Sequence, residues 1–112
     1  MSTIKFEGFI KFIISVLKRP AMYCVNNVED IYLISFGYTS ALQDDNTADF
    51  MNDFRQYVNK DFEMNGNHDW SRIIRFHSGS DRQSIELFSK LFFDYLENKK
   101  IVISNQDENI AK

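Results

Sequence analysis

Apolar residues in the first part of the chain recur three and four positions apart. Phe6, Phe9, Ile10, Ile13 and Leu17 follow this spacing, which predicts one face of a helix from about Thr3 to Lys18. Lys18 and Arg19 stand where cations suit a helix C-terminus, and Pro20 cannot continue the helix. A second helix opens at Asn26, which with Glu29 three residues on has the form of a capping box. Val28, Ile31, Tyr32, Phe36 and the run Tyr38 to Leu42 give it a broad apolar face. Gly37 sits inside it, where glycine costs about 1 kcal/mol relative to alanine, so another element is expected to pack close.

The loop LQDDNTAD leads to a third helix capped by Asn46 or Thr47. Asp49 falls in its first turn, and Phe50, Met51, Phe54, Tyr57 and Val58 line one side. After EMNGNHD, the residues Trp70, Ile73, Ile74 and His77 mark a short fourth helix. Ser80 and Gln83 form a capping box for a fifth, whose face is Ile85, Phe88, Phe92, Tyr95 and Leu96. IVIS at 101–104 is β-branched and reads as a short strand or an ordered tail, with disorder expected over 105–112. The expected fold is therefore all-α: a compact bundle of about five helices forming one domain over 1–104, with at most one short C-terminal strand.

Composition refines this picture in one respect. A chain of 112 residues makes one domain. It carries 11 Phe, 5 Tyr and 1 Trp, enough for a Phe-packed core with aromatics left for a binding surface. Cys24 is the single cysteine, so no disulfide forms within the chain, which fits a reducing compartment. The apolar stretch Phe9 to Leu17 is interrupted by Lys11, follows Glu7 and is too short to span a bilayer. It reads as an amphipathic helix of a mature cytoplasmic protein.

Net charge is −3, unevenly spread. From Glu29 to Asp69 there are nine acids against two bases, whereas the first 23 residues hold four bases and one acid. An acidic middle disfavours nucleic acid there, because phosphates need cations. It suits a basic protein partner, or a merely solvated surface.

Candidate chemistry is sparse. Neither G-x-x-x-x-G-K-[ST] nor G-x-G-x-x-G occurs. His68 and His77 lack a second ligand at metal-binding spacing; they read as a loop histidine and a helix C-terminal histidine. Cys24 has no histidine in a supporting context and reads as a small buried hydrophobe. Carboxylates pair at Glu29–Asp30, Asp44–Asp45 and Asp49–Asp53, and the last pair shares one helix face. Such pairs can hold a divalent ion or run acid–base chemistry, but more commonly form an exposed face. No metal or cofactor is expected. A third reading is a nucleic-acid-binding regulator that uses Arg72, Arg75 and Arg82.

Lys18 to Tyr23 is similar to the K-R-P-G-M-Y peptide of type II DNA topoisomerase ATPase domains, with Ala21 for glycine. The glycine-rich nucleotide motifs of that domain are absent here, so the likeness is local. A wider resemblance carries more. Arg19, Pro20, Met22 and Tyr23 are followed by Phe36, Gly37, Tyr38 and Ala41, then Phe50, Phe54 and Tyr57. Next come Trp70 with Ile73, and a last helix rich in Phe and Leu from Phe88 to Leu96. Over roughly residues 9 to 97 this resembles small bacterial immunity proteins of contact-dependent growth inhibition and related polymorphic toxin systems. The resemblance implies a cytoplasmic, non-enzymatic inhibitor that binds a cognate toxin domain, many of which are nucleases. A nuclease cleft is basic, so the acidic segment is the expected interface: Asp44, Asp45, Asp49 and Asp53, then Asp61 and Glu63, with Tyr57 as an aromatic anchor. On this reading LKRPAMYC is a structural corner, with Met22 and Tyr23 folding into the core.

Overall fold

The computed structural model describes residues 7–43, 45–64 and 68–101. Within them the chain forms α1 (Glu7–Lys18), a 3₁₀ turn (Pro20–Tyr23), α2 (Val28–Leu42), α3 (Asp45–Asp61), α4 (Trp70–Phe76) and α5 (Asp81–Asn98). The fold is all-α, a bundle of five helices, and no strand occurs among the described residues. The strand expected at 101–104 falls, apart from Ile101, outside them, as do the start of the first helix before Glu7 and the tail at 105–112.

The three-four spacing of α1 places Phe9, Ile10, Ile13 and Val16 fully inside. Phe9 meets Tyr38 of α2 and Phe50 of α3 edge to face, with centroids 5.2 and 5.7 Å apart. The core centres on Phe54 of α3. Its ring meets Trp70, Phe88, Tyr95 and Phe92 at 5.4 to 6.0 Å, all at steep angles. Each such pair adds about 0.5–1.5 kcal/mol beyond simple area burial. This network fixes the mutual placing of α3, α4 and α5 and uses much of the chain's aromatic surplus.

α4 is only 7 residues long and could not persist alone. It is held by packing against α2, α3 and α5 and by its ends. Asp69 caps it, accepting from the Ser71 N–H and hydroxyl at 3.1 and 3.0 Å. Asn59, almost fully buried on α3, donates to the carbonyls of Arg55 and His68 and accepts from the His68 N–H. This amide ties the approach to α4 back onto α3.

Three helix ends meet at Arg75. Its guanidinium grips both oxygens of Glu29 at 2.8 and 2.9 Å and donates to Asp81 at 2.7 Å. Glu29 and Asp81 lie in the first turns of α2 and α5, and Arg75 in the last turn of α4. Each charge therefore sits at the helix end that favours it. The bidentate bond from Arg75 holds the Glu29 carboxyl below its ordinary range, against a smaller opposing effect of burial. Nearby, the Val28 N–H at the start of α2 donates to buried Ser84 Oγ at 3.0 Å, and that hydroxyl donates to the Asp81 carbonyl.

Several local expectations are corrected. The N-cap of α2 is Asn27, not Asn26; it accepts from the Asp30 N–H, while the Asp30 carboxylate accepts from the Asn26 N–H. α3 begins at Asp45, ahead of the expected caps Asn46 and Thr47, so Asp49 lies in its second turn and Thr47 is buried. Met22 is 65% exposed rather than in the core, and only Tyr23 turns inward, edge-on to Phe12 at 5.8 Å. Cys24 is exposed, not buried.

Cys24 also has a left-handed backbone, with φ 60°. The Val25 N–H reaches back to the Pro20 carbonyl at 2.9 Å and closes the 3₁₀ turn. The same closure recurs at Glu63, where Met64 bonds Asn59, and at Lys100, where Ile101 bonds Leu96. Ala21 lies within the 3₁₀ turn and not at the left-handed position, so alanine is unstrained there.

Candidate functional site

The acids that look like one patch in sequence are separated by the fold. Among the described residues of the 29–69 segment, four carboxylates are engaged within the chain. Glu29 binds Arg75, Asp30 caps the α2 entry and Asp69 caps α4. Asp53 accepts from Tyr95 Oη at 2.6 Å and lies 3.3 Å from Lys99 Nζ. Asp53, expected as a contact residue, is instead a link between α3 and α5. Asp44 and the side chain of Asp45 lie outside the described residues.

Asp49, Asp61 and Glu63 remain exposed, and none makes an ion pair or side-chain hydrogen bond among the described residues. Asp49 and Asp61 are twelve residues apart on one helix, about 18 Å along its axis. That exceeds the screening length of about 8 Å at physiological salt. They therefore act as two separate negative points.

Tyr57 is half-buried and packs edge to face on Tyr95 at 5.3 Å. Burial pushes its phenol above the ordinary value, and the neighbouring carboxylates Asp61 and Asp94 add to this. With Lys60, Asp61 and Asn98 it lines a shallow hollow of about 410 Å³. Tyr57 and Asp61, both expected at the interface, are thus brought together at the C-terminal half of α3. Glu63 follows on its left-handed closing turn.

A second concavity was not foreseen. Between α2 and α3 lies a groove of about 430 Å³, walled by Tyr32, Phe36, Thr39, Met51 and Arg55 and floored by Trp70. Arg55 donates to Asn52 Oδ1 at 2.8 Å on its rim. The sequence signal was the run from Ile31 to Gln43, which contains no charged residue. Gly37, expected beneath a packed element, has nothing within 4 Å of where a Cβ would stand. The close approach is at Gly8, where the Tyr38 hydroxyl comes within 3.3 Å of that position.

The remaining candidates are also placed. His77 caps α4, stacks on Phe62 at 4.2 Å and sets Nδ1 2.9 Å from the Ile73 carbonyl. His68 is an exposed loop residue held through its backbone. No three His, Cys, Asp or Glu side chains converge as a metal site among the described residues. Of Arg72, Arg75 and Arg82, the arginines of the nucleic-acid reading, Arg75 is held by two acids and Arg82 faces Glu86 at 3.4 Å. Of these three, only Arg72 is exposed without an ion pair among the described residues. No helix among them is long and apolar enough to cross a membrane.

No protein-family model, curated protein or solved structure matches this chain.

Proposed function

We propose that this chain is an immunity-type inhibitor: a cytoplasmic helical protein that binds a cognate bacterial toxin domain with a cationic surface, such as a nuclease, and blocks it. The observation that carries this reading is the exposure of Asp49, Asp61 and Glu63 on α3 and its closing turn, with no ion pair of their own among the described residues. Acids that the fold leaves exposed attract a basic partner over distance, speed encounter and select against acidic competitors. Tyr57 beside Asp61 supplies a rigid aromatic surface of the kind that anchors interfaces. The contact set is narrower than the sequence expectation, because Asp53 is held by Tyr95 and Lys99.

The test is co-expression with the C-terminal domain encoded by the adjacent upstream reading frame. A stable complex that rescues growth is the expected outcome. Replacing Asp49 and Asp61 by Asn and Glu63 by Gln together should slow association about tenfold at low salt, with the thermal midpoint unchanged. If a toxic neighbour is in hand and no complex forms, the reading fails.

A further inference from the structure

Trp70 floors the groove between α2 and α3 and is 2% exposed. It is the chain's single tryptophan. Rings surround it, those of Tyr32, Phe54 and Phe88, with centroids 5.1 to 5.4 Å away. Its indole Nε1–H donates to no oxygen or nitrogen among the described residues. A buried tryptophan ordinarily finds such an acceptor, and a ring face is only a weak substitute. Tyr32, half-buried on the groove wall, likewise has a hydroxyl with no hydrogen bond among the described residues.

The other polar groups of the lining are largely engaged. Both oxygens of Asp69 accept from Ser71, and Asn52 Oδ1 accepts from Arg55. The Ser35 and Thr39 hydroxyls donate to carbonyls within α2. The groove therefore offers ring-borne donors among aromatic and apolar walls. Arg55 and Asp69 bring one positive and one negative charge to the lining, so neither sign of ligand is favoured. A volume of about 430 Å³ falls in the range of small-molecule sites, whose usual make-up is apolar walls with a few convergent polar groups.

We propose that this groove binds a small, flat, uncharged molecule of about two fused rings that carries a carbonyl oxygen. Its rings lie against Tyr32, Phe36 and Trp70, and its carbonyl accepts from Trp70 Nε1–H, with the Tyr32 hydroxyl as a second donor. The site does not depend on the toxin-binding reading, which uses the exposed acids of α3 and its closing turn.

Coumarin and indole separate the claim into its parts. Both are flat and uncharged. Coumarin carries a carbonyl and no N–H, and indole an N–H and no carbonyl. Each is titrated into the isotope-labelled full chain and read at the indole N–H cross-peak, which a single tryptophan makes unique. Coumarin should bind with Kd on the order of 0.1–1 mM and move that cross-peak downfield. Indole should bind about fivefold more weakly, without the downfield shift. Tyr32→Phe should weaken coumarin about two- to threefold and leave indole unchanged. Ala48→Phe, at an exposed position of the α3 wall, fills the groove. It should weaken coumarin at least about tenfold with the thermal midpoint unchanged. A cross-peak that coumarin leaves unmoved at about 5 mM overturns the proposal, and so does indole binding as tightly as coumarin. A tenfold preference for the anion naphthoate would overturn the uncharged class, and undiminished binding by folded Ala48→Phe would overturn the site.

Discussion

α2 and α5 each lay one side against the core, and α5 buries Phe88, Leu91, Phe92, Tyr95 and Leu96. Its outer side is laced with ion pairs one turn apart, Arg82 with Glu86 at 3.4 Å and Lys90 with Asp94 at 3.0 Å. Such exposed pairs add little stability, but they keep the helix wet and unattractive to apolar partners. α2 buries Val28, Ile31 and Ser35 and turns Leu33, Phe36 and Gly37 outward instead. The inward residues of both helices are explained by the monomer. The outward residues of α5, Phe93 at 42% exposure excepted, are explained by water, and those of α2 by neither.

The difference is broken first by truncating one ring on each side. Phe88 is 1% exposed and packs on Phe54, Trp70 and Phe92. Phe88→Ala should cost about 3–5 kcal/mol, because the aromatic cage around it cannot collapse to fill the void. Phe36→Ala, at a ring 64% exposed, should cost under about 0.5 kcal/mol. Urea unfolding measures both. Equal losses would mean that Phe36 is part of the fold, and the contrast between the helices would disappear.

The next effect lies where the two helices join. Ser84→Ala removes the acceptor for the Val28 N–H and the donor to the Asp81 carbonyl in a fully buried site. Leaving a buried donor unmet costs about 1–3 kcal/mol. Loss of amide protection at Val28 and the first turn of α2, ahead of α5, would locate the damage. Uniform loss along both helices would show that the hydroxyl is not the joint between them.

Tyr95→Phe probes the tie between α5 and α3. It deletes the 2.6 Å bond to Asp53, whose side chain is 46% exposed and can be rehydrated. The expected cost is therefore about 1 kcal/mol, at the low end for a bond to a charged group. In the folded chain burial first, and then the Asp53 carboxylate, push the Tyr95 phenol well above its ordinary value. The folded state thus holds a proton that the unfolded chain releases above about pH 10. This stabilisation is complete below that pH and is lost as pH rises through the raised folded value. The Phe variant should show a shallower alkaline decline, and an unchanged slope would remove Tyr95 as its source.

Much of the fold was legible because period and burial agree. Phe9, Ile10 and Ile13 on α1, and Phe88, Phe92 and Tyr95 on α5, are core residues at the expected spacing. The helix ends were less legible. Residues with left-handed backbone stand at Cys24, Gln43, Glu63 and Lys100, and none is glycine. The glycine punctuation that normally marks a C-terminus was therefore missing. The acidic site was legible only as composition, because charge counting cannot tell that Asp53 finds Tyr95 forty-two residues away. The groove was illegible as a pattern of apolar residues, since α2 is apolar on both sides and its period carries no direction.

The smallest effect tests the outward face of α2 without disturbing anything that touches it. Gly37→Ala adds one methyl group where nothing stands within 4 Å. Glycine in a helix interior is about 0.8–1 kcal/mol less favourable than alanine, mostly because the unfolded chain loses more freedom there. At low concentration, then, the variant should be more stable by about 0.5–1 kcal/mol, seen as a raised urea midpoint with an unchanged slope. A gain of that size would make Gly37 a helix defect that the fold of the single chain does not need, and the contrast with α5 would rest on Leu33 and Phe36 alone; no gain would mean that the glycine serves the fold after all.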